Sequence, residues 1–268
     1  MARFPSLEYD RDQLESPGAA VARQQRLETA VNGVLDGIVR DFLATVRSDA
    51  KAYGFQLSAG MVWSTWSLIT ARALAEIPTA VTAWLGPELE ASEIPDVAYE
   101  AVRTVLTMAA DQGWTQAQTD DQIRLALQPD AGPTEVIVAA ATRRGPRHGA
   151  RWSELDADGM SFMDRMKRDA RTAVTGLDGM LTVNALGEQG FTRKRWVTRH
   201  DDKVRETHRH ADGDTVPLGE PFYVGGYPLM YPGERGAPPE IVINCRCVLV
   251  GTRWRAQGGF RPGVGRRP

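Results

Sequence analysis

The chain contains little cysteine, little histidine and no long apolar run, and each shortage excludes a class of protein. Among its 268 residues are two cysteines and four histidines. Cys245 and Cys247 are separated by one residue, and bridging such close neighbours strains a disulfide bond. They therefore do not form the disulfide framework of a small secreted domain, and they are either free thiols or metal ligands.

The apolar runs are too short for a membrane span. The longest one covers residues 136–141, whereas a helix needs about 20 apolar residues to cross a bilayer. The first residues contain no apolar signal core. We therefore expect a protein of a cytosol, or of an assembly that forms there.

A chain with 42% hydrophobic and 25% charged residues buries a substantial core in one large domain or two small ones.

Charge is distributed unevenly along the chain. Residues 1–142 carry 10 Lys/Arg and 19 Asp/Glu, a net −9, and residues 143–268 carry 22 and 15, a net +7. This asymmetry indicates different partners for the two halves, the basic half facing an acidic protein surface or nucleic acid. The alternative is charge that is simply solvated on two domains.

The spacing of apolar residues predicts an α+β chain: a mainly helical N-terminal region and a small, loop-rich C-terminal domain with short strands. Spacings of three and four predict helices over 20–48, 58–76 and 96–111, and one or two more over 152–186. The apolar segment 136–141 is ambiguous between helix and strand, and it is assigned to a helix because helices surround it. A further helix, over 116–127, follows a capping box of Thr115 and Gln118. Beyond Gly190 the chain is rich in Gly and Pro, and apolar bursts at 215–218, 221–224 and 241–250 indicate short strands.

These patterns divide the chain into five parts. They are an N-terminal arm (1–19), an acidic helical region (20–142), a basic linker with helices (143–190), a motif domain (191–250) and a basic flexible tail (251–268). The tail arginines are Arg253, Arg255, Arg261, Arg266 and Arg267. With Trp254 and Phe260 they could bind nucleic acid by stacking and phosphate contacts, although an arm that orders on a protein neighbour is the favoured interpretation.

The two cysteines are candidate ligands of a zinc ion. In a strand-like run, the side chains of residues two apart point to the same face of the strand, so both cysteine sulfurs could bind the same ion. Thiolates with imidazole suit zinc. His208 is the leading third ligand, and Asp201, His210 or His200 could be the fourth. The alternative is that both cysteines are small buried residues of a core strand.

Asp201, Arg205 and His208 occupy positions i, i+4 and i+7, which would place them on one side of a helix. There Asp201 could pair with Arg205. With a cysteine as nucleophile, His208 as base and Asp201 as its orienter, the group could form a thiol hydrolase. A buried polar clamp that fixes a loop-rich domain in one shape is the favoured alternative.

An ordered set of residues lies near the C-terminus. Its members are Trp196, Asp201, Arg205, His208, Asp212, Gly213, Pro221, Phe222, Pro232, Gly233, Pro238, Pro239, Glu240, Ile243, Asn244, Cys245, Arg246 and Cys247. Their order and spacing resemble the phage Mu F-like head morphogenesis, or minor capsid, protein family. The resemblance covers roughly residues 169–250. Two positions depart from the family pattern: Glu234 replaces a common aspartate, and Ala173 replaces an acidic residue.

The resemblance implies a structural role, without catalytic residues to transfer. It implies a low-copy protein of a tailed-phage head that enters the prohead near the portal and is linked to DNA packaging or delivery. Its expected partners are the portal protein, the major capsid or scaffolding protein and phage DNA, with no membrane. The expected location is the virion, and the host cytoplasm during assembly. The alternative function is a thiol- or metal-dependent hydrolase acting in capsid maturation.

Overall fold

The fold is of the predicted α+β class. A computed structural model describes residues 4–127 and 162–253, with side chains in the second range from residue 167 onward. Helices dominate the N-terminal part, and short antiparallel strands follow near the C-terminus. The helix predicted at 136–141, the basic linker and most of the basic tail lie outside the described residues.

Seven helices precede the first strand in the described part of the chain. They are α1 (Arg11–Glu15), α2 (Pro17–Tyr53), α3 (Ala59–Leu74), α4 (Thr79–Glu90), α5 (Ile94–Gln112), α6 (Gln116–Ala126) and α7 (Phe162–Glu188). Their ends follow local signals. The Ser58 side chain caps α3 by accepting from Met61 N. The predicted capping box of Thr115 and Gln118 is present at α6, because the two side chains accept from each other's backbone N–H.

The strands form two small antiparallel sheets. One has the order β2-β1-β5, and the other pairs β3 with β4. The elements are β1 (Arg193–Val197), α8 (Glu206–Ala211), β2 (Thr215–Pro217), β3 (Phe222–Val224), β4 (Tyr227–Leu229), α9 (Pro239–Val242) and β5 (Val248–Thr252). The prediction of one strand-like run over 241–250 is wrong in its first half. There α9 ends in a turn with Asn244 at φ 57°, and β5 begins only after Cys247.

The described residues belong to two units. Of the described residues, the first unit contains 4–5, 26–127 and 162–177, and the second contains 6–25 and 178–253. Both divisions fall inside helices, α2 and α7, rather than at 19, 142 or 190, where the sequence pattern changes. In the first unit, Phe42 and Trp66 meet edge to face at 5.1 Å between ring centroids, and Trp66 Nε1 donates to Leu89 O at 3.0 Å.

The second unit includes the segment predicted to be an N-terminal arm. Tyr9 and Leu14 are buried in a cluster with Leu186 and Phe191. Gly251 lies against this cluster, and a Cβ at residue 251 would collide with the side chains of Leu186 and Phe191. The cluster and the sheet therefore fix the N-terminal residues to the C-terminal strands of the same unit. Among the described helices, none combines the length and the apolar composition that a bilayer span requires.

Candidate functional site

A buried cluster of one histidine and two cysteines forms the candidate site. His208 Nδ1 lies 3.3 Å from Cys247 Sγ and 3.7 Å from Cys245 Sγ. The three side chains are at most 3% exposed, and their ligand atoms all lie within 4.8 Å of one another. The structure thus brings together three of the four residues that the sequence assigns to a metal.

His208 is oriented by its second ring nitrogen. It lies on α8, and its Nε2 is 2.9 Å from Ile241 O. A carbonyl oxygen only accepts hydrogen bonds, so Nε2 carries a hydrogen. In the neutral ring, Nδ1 therefore presents its lone pair to the two sulfurs. The Trp196 ring packs edge to face against His208 at 5.8 Å between centroids.

The cysteines lie in the irregular segment between α9 and β5. Hydrogen bonds to the backbone fix this segment: Cys245 N donates to Val242 O at 3.1 Å, and the Gln24 side chain donates through Nε2 to Cys247 O at 3.1 Å. Arg199 Nε donates to Arg246 O at 3.0 Å. The two sulfurs converge because of these contacts, and not because of the alternation of a strand.

The two thiols differ in acidity. A hydrogen bond from the Cys247 thiol is the largest of the effects that hold the pKa of Cys245 well below its usual range, against the opposing effect of burial. The proximity of Cys245, together with burial, raises the pKa of Cys247. One thiolate is therefore favoured in the pair, on Cys245. The buried Trp196 Nε1 has no partner in hydrogen-bonding geometry, yet its proximity to Cys247 acts to lower the pKa of that thiol.

Asp201 is not part of this cluster, contrary to the prediction. Arg246 donates to both of its carboxylate oxygens, at 2.7 Å each. This bidentate pair holds the pKa of Asp201 below its usual range. The predicted helix face is also wrong, because α8 begins only at Glu206 and the Arg205 guanidinium donates to Ile243 O.

The described residues do not form the Cys-His-Asp arrangement of the hydrolase hypothesis. A backbone carbonyl, that of Ile241, occupies the position at His208 Nε2 that an orienting carboxylate would need. The cysteines are buried at 2% and 3% exposure. The other two candidate fourth ligands, His200 and His210, are exposed and lie outside the cluster.

The remaining motif residues support the strand that carries Trp196. Gly213 N donates to Trp196 O at 2.9 Å, and Trp196 N donates to Asp214 O at 3.0 Å. Asp212 Oδ1 accepts from Thr198 N at 2.7 Å. Gly213 has φ 85°, a conformation that glycine adopts without strain. These contacts fix Trp196 against the cysteine cluster.

Lys194 is a buried charged residue that sequence reasoning missed. Its side chain is fully buried, and Nζ donates to Met230 O at 2.8 Å. Burial lowers the pKa of Lys194 to about 8, although nearby Glu234 favours the charged form. The sequence contained a signal for the burial of Lys194. Lys194 is two residues from Trp196, and strand residues two apart lie on the same face of a sheet.

A second buried polar group, which the sequence did not reveal, joins α7 to the N-terminal segment. Arg23 donates to Asp178 through Nε at 2.8 Å and Nη2 at 3.1 Å. Tyr9 OH donates to the same carboxylate at 2.9 Å. Burial and the charge of Asp178 raise the pKa of Tyr9. Arg23 and Asp178 are 155 positions apart in the chain, so no local pattern could pair them.

One tail arginine lies within the described residues. Arg253 stacks on the Phe191 ring at 5.0 Å from its centroid, and its Nε is 4.0 Å from Glu15 Oε1. Arg255, Arg261, Arg266 and Arg267 lie outside the described range. Arg253 therefore belongs to the folded second unit, and the other four remain candidates for partner contact.

Comparison with protein families gives a match. The family model described as phage Mu protein F like protein matches residues 100–250, which is more than half of the chain. No curated protein matches, and no solved structure matches either. The matched region includes the His208 cluster and all the motif residues that surround it.

Proposed function

Because the chain belongs to the phage Mu protein F-like family of head morphogenesis proteins, we propose that it is a structural component of a tailed-phage head. It enters the prohead near the portal in low copy number and takes part in DNA packaging or delivery. The family match over residues 100–250 carries this proposal.

The geometry of the motif supports a structural role over an enzymatic one. Its chemically reactive side chains are buried, and each contacts groups of its own unit. An enzyme of acyl transfer needs a nucleophile that substrate can reach. The Asp201–Arg246 pair and the Asp212 contact to Thr198 likewise bind segments of the chain to each other.

Charge asymmetry supports separate partner surfaces. Residues 1–142 carry a net −9 and residues 143–268 a net +7. In this proposal the acidic helices contact portal, major capsid or scaffolding protein, and the four tail arginines beyond Arg253 contact phosphate or an acidic protein surface. Contacts of lysine and arginine to DNA phosphates weaken as salt increases.

The decisive experiment compares mature particles with empty proheads. Both are purified from a phage that encodes the protein, and the protein is quantified against the portal protein by mass spectrometry. The proposal predicts that it is present in proheads at a copy number comparable to the portal. Absence from both particles contradicts the proposal, whereas presence in proheads alone supports a role confined to assembly.

The DNA contact has its own experiment. Full-length protein and a variant lacking residues 254–268 are titrated with double-stranded DNA at several salt concentrations. The deletion stops short of Arg253, so the contact of Arg253 with Phe191 is kept, and circular dichroism checks that both proteins are folded. Salt-sensitive binding that disappears with the deletion supports DNA contact through the tail. Equal binding by both proteins contradicts it.

A further inference from the structure

We propose that His208, Cys245 and Cys247 bind one Zn²⁺ ion, which crosslinks the second unit. The three ligand atoms belong to two segments that are far apart in the chain, since His208 and Cys245 are separated by 37 positions. A metal at this point would join α8 directly to the segment that leads into β5.

The distances between the ligand atoms fit a tetrahedral zinc site. Zinc–sulfur distances of about 2.3 Å and zinc–nitrogen distances of about 2.0–2.1 Å, at a tetrahedral angle, place nitrogen and sulfur about 3.6 Å apart. The Nδ1–Sγ distances of 3.3 Å and 3.7 Å bracket this value. The ligand atoms can therefore bind one ion with little movement.

The surroundings of the ligands are those of a metal site. Metal-bound histidine usually donates its other ring N–H to a carbonyl or carboxylate, which fixes the ring orientation. His208 has this contact at Ile241 O. Trp196 Nε1, which is buried and has no partner in hydrogen-bonding geometry, lies in the same buried cluster as Cys247. An indole N–H in this position can donate to a metal-bound thiolate.

The local architecture gives the ion a structural purpose. The strands of this unit have only three or five residues, and half of the ten buried residues in the core around Trp196 belong to short helices or to a loop. Metal binding contributes its free energy directly to the folding of such small units. The described residues supply three ligands, which leaves the fourth coordination position to another group.

Metal content of the purified full-length protein tests the proposal. The protein is prepared without a polyhistidine tag and with a thiol reductant, and zinc is measured per chain by plasma mass spectrometry. We expect one zinc ion per chain. After removal of zinc by a chelator, Co²⁺ should produce the thiolate-to-cobalt absorption band and the visible bands of four-coordinate cobalt.

Ligand variants and matched controls identify the site. Cys245→Ser, Cys247→Ser and His208→Gln should each lose most of the zinc and the thiolate-to-cobalt band. His210→Gln, on the same short helix but exposed, and Asp201→Asn should retain both. Equal zinc in the ligand variants and the controls would mean adventitious binding and would overturn the proposal.

A further measurement keeps the test decisive if the ligand variants do not fold. Wild-type protein, shown to be folded by circular dichroism, is incubated with Zn²⁺, dialysed and analysed again. A folded wild-type protein that stays metal-free after this treatment overturns the proposal, and the three side chains would then be a hydrogen-bonded cluster. A wild-type protein that loses thermal stability with its zinc and regains it on reloading supports it.

Discussion

The two units bury different kinds of side chains. In the described part of the first unit, the buried polar residues are three threonines: Thr70, Thr119 and Thr175. The second unit buries an arginine, an aspartate, a lysine, a histidine and a glutamine: Arg23, Asp178, Lys194, His208 and Gln24. In a core of helices with apolar faces, the packing of apolar side chains determines the fold. In a unit of short strands and loops, hydrogen-bonded polar groups contribute more to fixing one structure.

This difference has consequences for sensitivity to mutation and to pH. A buried charge that loses its partner destabilises far more than an exposed one. A buried group with a shifted pKa makes the free energy of unfolding depend on pH. The second unit should therefore respond to polar substitutions and to pH, and the first unit mainly to changes in apolar volume.

The largest expected effect comes from the buried ion pair. Arg23→Met removes both hydrogen bonds to Asp178 and leaves that carboxylate buried without its cation. We expect a loss of about 3–5 kcal/mol in the free energy of unfolding, measured by urea denaturation. Arg124→Met breaks the exposed pair with Asp121 in the first unit and should cost about 0–1 kcal/mol. Equal losses in the two variants would remove the distinction between the units.

Lys194 should make the second unit pH-dependent. Its pKa of about 8 in the folded chain lies below the unfolded value, so between these two pH values the unfolded chain binds more protons and stability rises with pH. Relative to Lys194→Met, the wild type should gain about 2 kcal/mol between pH 7 and pH 9.5. Cysteine titration occurs in both proteins and cancels in the difference. A difference that is constant with pH is incompatible with a buried, shifted Lys194.

The smallest expected effect is a volume change in the first unit. Ile94 is fully buried in that unit, and Ile94→Val removes one methyl group without adding a polar atom. The free energy of unfolding should fall by about 1 kcal/mol, by the same amount at pH 7 and at pH 9.5. A loss that changes with pH would show that titrating groups couple to this core as well.

The sequence predicted the helices of the first unit well, because their signals are local. The capping box at Thr115 and Gln118 lies at the start of α6, and the spacing of apolar residues over 20–48 lies within α2. The second unit was harder. The strand β1 was missed because Lys194 lies at a buried position, where an alternation of apolar residues would have an aliphatic side chain.

Within the site, the sequence predicted the members of the cluster better than their geometry. It chose His208, Cys245 and Cys247, which do lie together. It named Asp201 as a possible fourth ligand, and separately placed Asp201 on a helix face with Arg205 and His208. That segment is not helical, and Arg246 binds the Asp201 carboxylate. Contacts between residues so distant in the chain depend on the whole fold, and no local pattern contains them.

The reactivity of the two thiols tests the central claim, that the motif builds a buried structural cluster. The native protein is mixed with a chromogenic disulfide reagent, and thiol release is followed together with unfolding in urea. Because both cysteines are at most 3% exposed, neither should react faster than the chain unfolds, with or without bound metal. A thiol that reacts completely within seconds in the folded protein would contradict the account and favour an accessible nucleophile.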